Sequence, residues 1–202
     1  MNAVAIFFSL LPFYLLGAFP TGHLLSKLHG VDIGSQGSGN TGATNVARVL
    51  GKKAGILTLL IDVFKGALGI AIAKIVVGEG WFESSAGFAV VAGHCFSIPG
   101  YLKGGKGVAT ALGVISVLYP SSGLVALFSF AGIFAAWRIV SLASIGATLL
   151  VPCWALVTDA PDATLLAFMA IAALIVYRHE QNLKRLIEGN EPKFVTRKAE
   201  VE

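Results

Sequence analysis

Seven apolar segments, separated by short polar turns, limit what this chain of 202 residues can fold into. They cover residues 4–25, 55–77, 82–98, 108–119, 124–137, 141–157 and 164–176. A helix needs about 20 apolar residues to cross the hydrocarbon core of a bilayer, where it satisfies its own backbone hydrogen bonds. Although the fourth segment is short, the pattern predicts an all-α, polytopic integral membrane helix bundle with about seven transmembrane helices.

Composition supports a membrane protein and argues against several other classes. Hydrophobic residues make up 55% of the chain and charged residues only 13%, whereas a soluble domain carries about 25% charged residues. We therefore expect one membrane domain over residues 1–202, with residues 187–202 as a flexible cytoplasmic tail. The sequence has no basic patch interleaved with aromatic residues, which is the pattern typical of proteins that bind single-stranded nucleic acid. Cys95 and Cys153 are expected to be buried free thiols, and no Cys/His spacing is typical of a zinc site.

Charged residues in the turns predict how the bundle is oriented, because basic and acidic turns alternate along the chain. The basic residues of the turns are Arg48, Lys52, Lys53, Lys103, Lys106, Arg138, Arg178, Lys184 and Arg185, and the acidic ones are Glu79, Glu83, Asp159 and Asp162. By the positive-inside rule, the basic turns are cytoplasmic. Seven spans then place the N-terminus outside and the C-terminus in the cytoplasm.

The second apolar segment carries Asp62 and Lys65 at positions that share one face of a helix, and Lys74 near its far end. Charges at this depth are costly, and they usually pair with each other or face a polar cavity. The sequence favours a structural ion pair and leaves a functional role open.

A glycine-rich turn, residues 34–45, follows the first segment and precedes Arg48; we call it the glycine loop. Its glycines at positions 34, 37, 39 and 42 permit positive φ, so the backbone can direct consecutive N–H groups into one concavity. The hydroxyls of Ser35, Ser38, Thr41 and Thr44 add further donors. Such a loop predicts a phosphate site at a membrane face.

Better-known phosphate loops fit this turn poorly. Gly37-x-Gly39-x-x-Gly42 has the spacing of a dinucleotide-binding turn, but no strand precedes it and no βαβ unit follows. The spacing of a Walker A loop is also present, but Ala43 occupies the position of the essential lysine. A flexible linker between two helices remains an alternative.

Under the predicted topology, three polar segments reach the same membrane face: residues 34–48, 94–110 and 177–185. Together they carry cations, imidazoles and amides, namely Arg48, Lys103, Lys106, Arg178, His94, His179, Asn40, Asn45 and Asn182. This set suits two phosphate groups, and its shortage of carboxylates disfavours magnesium-dependent phosphoryl transfer. Preorganised N–H groups and cations would act by stabilising negative charge.

Three motifs on these segments resemble those of the bacterial acyl-phosphate:glycerol-3-phosphate acyltransferases. They are Gly37-Ser-Gly-Asn-Thr-Gly-Ala-Thr-Asn45 with Arg48, Gly93-His94 followed by Lys103-Gly-Gly-Lys-Gly-Val-Ala-Thr110, and Tyr177-Arg-His179 followed by Asn182, Arg185, Gly189 and Glu191. The resemblance implies transfer of a fatty acyl group from acyl phosphate to the 1-hydroxyl of sn-glycerol 3-phosphate. The products would be lysophosphatidate and phosphate, in the first acylation step of bacterial phospholipid synthesis.

The resemblance also implies partners and a setting. The substrates would be acyl phosphate and glycerol 3-phosphate, in the lipids of the bacterial cytoplasmic (inner) membrane, with the active site toward the cytoplasm. We expect a monomer that uses no metal, no cofactor and no nucleic acid. The His-x-x-x-x-Asp box of acyl-CoA-type acyltransferases is absent, since Pro99 follows His94 and Lys184 follows His179 at that spacing.

Carried over position by position, the resemblance assigns residue roles. The acyl-phosphate head group is expected to bind Gly37, Ser38, Gly39, Asn40, Thr41, Gly42, Ala43 and Thr44. Catalysis and glycerol 3-phosphate binding are expected of Ser38, Arg48, Lys106, His179 and Asn182. Supporting roles are expected of Asn45, His94 and Lys103, and His94 is expected to bond the loop that contains Lys103 rather than to react.

The proton acceptor and a rival function stay open at this point. His179 could accept the proton of the attacking hydroxyl, or a phosphate oxygen of the donor could take it as phosphate leaves. The second route is favoured because acyl phosphate is a mixed anhydride with a good leaving group, so that positioning can suffice. The rival is a membrane carrier or channel for phosphorylated solutes, but the sequence shows no inverted repeat with paired broken helices.

Overall fold

The computed structural model describes residues 3–97 and 104–194, and within them the chain forms ten α-helices and no β-strand. The helices are α1 Ala3–Gly17, α2 Thr21–Leu28, α3 Ala43–Leu50, α4 Lys52–Val76, α5 Trp81–Phe96, α6 Val108–Leu118, α7 Pro120–Trp137, α8 Val140–Val157, α9 Asp162–Arg178 and α10 Glu180–Ile187. Lys103 and the last eight residues of the predicted tail, 195–202, lie outside the described residues.

Four helical stretches of the described chain are long and apolar enough to cross a membrane. They are Ala5–Leu28, which joins α1 and α2, and the helices α4, α7 and α8. The pair α9 and α10 bends by 64° between its two parts and adds a fifth only if the two helices form one span. Each of the seven predicted segments contains a helix, but α5 has only 16 residues and α6 only 11. The all-helical prediction is confirmed, whereas the count of seven spans and their orientation stay predictions.

Large apolar side chains cover the outside of the bundle, as expected where lipid rather than water surrounds it. Phe8, Phe64 and Phe128 are all exposed. Cys95 is a buried free thiol, as predicted. The same prediction is wrong for Cys153, which is exposed, because α8 buries the face that carries residues 144, 147, 148, 151 and 155 and turns residue 153 away from it.

Glycines bring the central helices into backbone contact. A Cβ added at Gly66 of α4 would collide with the Thr110 carbonyl oxygen of α6, and one at Gly113 of α6 would collide with the Val63 carbonyl oxygen of α4. Lipid supplies no hydrophobic force between helices, so close packing through small residues is a main source of their association. This contact fixes the start of α6, and with it the loop that carries Lys106.

Gly113→Val should therefore destabilise the protein by about 1–3 kcal/mol, because the added side chain overpacks the contact between α4 and α6. Thermal unfolding in detergent measures this effect. The matched control is Gly132→Val in α7, where an added Cβ meets no atom within 4 Å. Equal losses in the two variants would contradict the close contact between α4 and α6.

Candidate active site

Residues from all three predicted polar segments line one cavity of about 330 Å³. Those that belong to the predicted site are Ser38, Asn40, Gly42, Ala43, Thr44, Asn45, Arg48, His94, Lys106, His179 and Asn182. Gly37, Gly39 and Thr41 belong to the glycine loop but do not line the cavity in the described structure. The structure thus brings together segments that are more than 100 residues apart in the chain.

Asn45 holds the glycine loop in shape. Its side chain is almost wholly buried (1% exposed). The Oδ1 atom accepts the Ser38 N–H at 2.9 Å, and Nδ2 donates to the carbonyl oxygens of Gln36 and Asn40 at 3.0 and 2.9 Å. Gly37 has a φ of +60°, and a Cβ there would collide with Asn45 Oδ1. These bonds argue against the flexible-linker alternative.

The hydrogen bonds inside the loop decide which N–H groups remain for a ligand. The N–H groups of Gly34, Ser38 and Gly42 donate to the side chains of Asp32, Asn45 and Asn40. Among the cavity-lining loop residues, the N–H groups of Asn40, Ala43 and Thr44 have no acceptor in the described part of the chain. Ala43 and Thr44 begin α3, so the positive end of a helix dipole adds to their attraction for an anion.

Lys106 is held at the cavity by a chain of polar contacts. Its Nζ donates to Asn182 Oδ1, and Asn182 Nδ2 donates to Glu191 Oε1 at 2.5 Å. The Glu191 carboxylate also accepts the Ser141 hydroxyl at 2.6 Å and Arg185 Nε at 2.7 Å. Glu191 therefore ties α8, α10 and the segment after α10 together, and it orients the amide that meets Lys106.

Burial lowers the pKa of Lys106 to about 8. The positive charges of Arg185, Arg178 and Arg48 act in the same direction, and the Glu191 carboxylate opposes them. The ammonium is therefore charged at neutral pH and loses its proton as the pH rises through about 8.

His179 lies just beyond the end of α9 and is buried. Its Nδ1 lies 2.8 Å from the Ile175 carbonyl oxygen, and because a carbonyl only accepts, Nδ1 must carry the hydrogen. Burial, and next the Lys106 charge, lower the pKa of His179 to about 4. The imidazole is then neutral at pH 7, with an Nε2 lone pair that can accept a hydrogen bond from a hydroxyl.

Arg178 does not line the cavity, although the sequence groups it with the other cations of this face. Its Nε and Nη2 donate to the carbonyl oxygens of Gly105 and Gly104, each at 3.2 Å, and its guanidinium lies over the Phe96 ring. Arg178 thus fastens the start of the Lys106 loop to α9. Arg48 and Lys106 are the predicted cations that reach the cavity within the described residues.

His94 contacts the same loop, as predicted. The Gly105 N–H donates to the His94 carbonyl oxygen at 3.0 Å, and a Cβ at Gly105 would collide with Nε2 of the imidazole. Six further polar residues line the cavity that the sequence does not assign to it, namely Asp62, Ser141, Ser144, Thr148, Arg185 and Glu191. Of these, Arg185 and Glu191 belong to the third motif, and their place in that motif could have identified them from the sequence.

The rest of the cavity is apolar. We call this part the apolar wall; it is formed by Leu59, Val108, Leu112, Ile115, Ala126, Leu127, Phe130, Ala147 and Val151 of α4, α6, α7 and α8. A polar end with cations and free N–H groups thus continues into a surface suited to hydrocarbon. Fold and cavity together define a class: a helical membrane protein whose cavity combines cations and free N–H groups with an apolar surface.

Comparisons with known proteins agree with this class. The family model described as glycerol-3-phosphate acyltransferase matches residues 7–189. A glycerol-3-phosphate acyltransferase of Trichlorobacter lovleyi is 45% identical over 181 residues, which cover 90% of this chain and 93% of that protein. The chain therefore belongs to the glycerol-3-phosphate acyltransferase family.

Solved structures support the same assignment. The crystal structure of PlsY (YgiH), an integral membrane glycerol 3-phosphate acyltransferase, in its glycerol 3-phosphate form, has a TM-score of 0.90 and 43% identity over 95% of this chain and 96% of that one. Its lysophosphatidic acid form has a TM-score of 0.87 at the same identity and coverage. The helical membrane architecture is thus shared with a known enzyme.

The lowered pKa of Lys106 predicts pH-dependent binding of glycerol 3-phosphate. This ligand keeps two negative charges above about pH 7, so a loss of affinity above pH 8 would report the loss of the Lys106 charge. We expect the dissociation constant to rise toward about tenfold per pH unit there, as measured by calorimetry from pH 6.5 to 9.5. Lys106→Arg stays charged over this range and should show a flat profile. An equal rise in that variant would contradict the assignment to Lys106.

Proposed function

We propose that the protein transfers a fatty acyl group from acyl phosphate to the 1-hydroxyl of sn-glycerol 3-phosphate, releasing phosphate and forming lysophosphatidate. This would be the first acylation step of bacterial phospholipid synthesis. The observation that carries the proposal is the cavity itself, whose cationic end lies directly beside an apolar wall. An acyl donor with an anionic leaving group and an anionic acceptor need both parts in one site.

The polar end offers two places for anionic groups. One is the start of α3, where the free N–H groups of Ala43 and Thr44 meet the helix dipole. The other is the pair of cations Arg48 and Lys106. Among the described residues, the Arg48 side chain has no hydrogen-bond or ion-pair partner. We assign the first, with Ser38, to the head group of acyl phosphate and the second to the phosphate of glycerol 3-phosphate.

The apolar wall would receive the acyl chain. It begins at Val108, two residues after Lys106, and continues along α6 to Ile115. Val151 of α8 and Ala126 of α7 close its far part, and both are buried. With the chain in this groove, the reactive carbonyl of the donor would lie at the junction of the polar and apolar parts.

In the proposed reaction, the hydroxyl oxygen of glycerol 3-phosphate attacks the carbonyl carbon of acyl phosphate. The bond between that carbon and the bridging oxygen breaks, and phosphate leaves with its electron pair. The proton of the hydroxyl passes to a phosphate oxygen of the donor. Cations and N–H groups hold both anions in register, so that proximity and charge stabilisation supply the rate.

His179 orients the attacking hydroxyl in this proposal. Its Nε2 can accept a hydrogen bond from the hydroxyl, because Nδ1 is engaged by the Ile175 carbonyl. With a pKa of about 4, the imidazole is a weaker base than a phosphate group, whose second pKa is about 6. The phosphate is therefore the better final acceptor of the proton.

The experiment that tests the function uses the purified protein in lipid with acyl phosphate and glycerol 3-phosphate. Release of phosphate that requires both substrates, with formation of acylated glycerol 3-phosphate, supports the proposal. Acyl-CoA in place of acyl phosphate should give no product. Uptake of glycerol 3-phosphate into vesicles without turnover would instead support the rival carrier function.

Two parts of the setting belong to the same proposal: a monomer, and a site that faces the cytoplasm from the inner membrane. The monomer rests on the family resemblance alone, whereas the cytoplasmic site rests on the resemblance and on the basic turns at the cavity, such as Arg48 and Lys106. A cysteine placed at Ser35, in a variant with Cys153 replaced, should react with impermeant reagents only from the cytoplasmic side.

His179→Gln tests the proton acceptor. If the donor phosphate takes the proton, the variant should lose activity by about tenfold to a hundredfold through weaker orientation, and its pH–rate profile should keep the wild-type shape. Steady-state rates from pH 5.5 to 9 measure both. A much larger loss together with an altered pH dependence would identify His179 as the base.

Ala126→Phe tests the placement of the acyl chain. Filling the far part of the apolar wall should lower kcat/KM for a sixteen-carbon donor at least tenfold relative to a ten-carbon donor, because a shorter chain ends before the new ring. The matched control is Ala131→Phe, on an exposed part of α7 that does not line the cavity. Equal kcat/KM ratios in wild type and Ala126→Phe would place the chain elsewhere.

A further inference from the structure

The buried ion pair of α4 lies beside the cavity, and its geometry suggests more than a neutral stabilising role. Asp62 and Lys65 are 2% and 4% exposed, and Lys65 Nζ lies 2.9 Å from Asp62 Oδ1. Asp62 also lines the cavity. A buried ion pair often contributes little net stability, because desolvation offsets the attraction. The contacts that the pair makes to other elements are therefore the more informative observation.

Both members of the pair form hydrogen bonds with residues at the break between α1 and α2. Lys65 Nζ donates to the Phe19 carbonyl oxygen at 3.2 Å, and Asp62 Oδ1 accepts the Thr21 hydroxyl at 3.0 Å. Pro20 lies between these two contacts. The end of α1 is the negative end of its helix dipole, and the start of α2 is a positive end. Each charge thus faces the helix end of opposite sign.

The break is connected directly to the glycine loop. Gly22, in the first turn of α2, packs so closely on the loop that an added Cβ would collide with the Thr41 carbonyl oxygen. Thr41 comes two residues before Ala43, the first residue of α3. A shift of α2 would therefore move the loop and the start of α3 with it.

Asp62 also lies near α5, the helix that holds the Lys106 loop. His94 Nδ1 lies 3.7 Å from Asp62 Oδ1. The His94 carbonyl oxygen accepts the N–H of Gly105, the residue before Lys106, at 3.0 Å. One carboxylate thus accepts a hydrogen bond from Thr21, beside one anion-binding segment, and packs near His94, which holds the other.

We propose that Asp62, held by Lys65, is a positioning residue that sets the separation between the start of α3 and Lys106. It acts through α2 and His94 on both segments and does not itself take part in the reaction. This inference rests on the proposed function for its effect on turnover, since the two segments are assigned there to the two anionic substrates.

The test compares two double variants in the full-length protein, one within α4 and one at the contact between α4 and α5. Asp62→Asn with Lys65→Met removes both charges of the inner pair with little change of volume, and so avoids the unpaired charge that a single change would leave. The control, Lys74→Met with Glu83→Gln, removes an ion pair that joins the far end of α4 to the start of α5, where Lys74 Nζ lies 3.5 Å from Glu83 Oε1. Neither control residue lines the cavity.

We expect both double variants to unfold within a few degrees of wild type. Only the inner double variant should lower kcat/KM for glycerol 3-phosphate, by at least tenfold and through a raised KM. Hydrogen exchange in residues 34–45 should also become at least tenfold faster in that variant alone. An inner double variant with wild-type kcat/KM and wild-type exchange would overturn the proposal. So would equal effects in the control.

If the inner double variant fails to fold, Thr21→Val tests the proposal instead, because it removes only the hydroxyl that donates to Asp62. It should raise KM at least threefold, and Thr21→Ser should restore it; unchanged kinetics in Thr21→Val would overturn the proposal. If the wild-type protein does not turn over acyl phosphate, the proposed function fails. Hydrogen exchange in residues 34–45 would still test the positioning role.

Discussion

A helix bundle surrounded by lipid must satisfy its buried polar groups from within, and this constraint shapes the site. The buried side chains of Asn45, Asp62 and Glu191 each bind two or more partners within the protein. Within residues 3–97 and 104–194, the polar groups left without partners at the cavity include the N–H groups that begin α3, the Arg48 guanidinium and the Nε2 atom of His179. They converge on the cavity, where an anionic ligand would complete their hydrogen bonding.

The sequence predicts much of this arrangement because hydropathy and motif spacing are local properties. Each apolar segment forms a helix in the structure, and the motif residues Ser38, Arg48, Lys106, His179 and Asn182 line one cavity. The glycine loop is foreseen from the permitted φ values at its glycines, and Gly37 and Gly39 do adopt positive φ. Most of the charged residues lie at or beyond the ends of helices, as the hydropathy pattern predicts, and Asp62 and Lys65 inside α4 are exceptions.

Other features depend on contacts that no local pattern encodes. Arg178 and Lys106 are both cations in motifs, but only the direction of each side chain decides that one binds loop carbonyls and the other lines the cavity. The first apolar segment, 4–25, is predicted as one span, whereas it contains two helices separated at Pro20. At that break Lys65, 46 residues further along the chain, donates a hydrogen bond to the carbonyl oxygen of Phe19. The role of Glu191 likewise requires α8 and α10 to be packed together.

The central claim is that one cavity holds two anionic groups at the same time. A crystal structure of the protein with glycerol 3-phosphate and a non-hydrolysable acyl phosphonate tests it most directly. Our account predicts two phosphorus positions in the cavity, one at the N–H groups of Ala43 and Thr44 and one between Arg48 and Lys106, with the acyl chain along α6. A single phosphorus position, or either ligand bound outside the cavity, would contradict it.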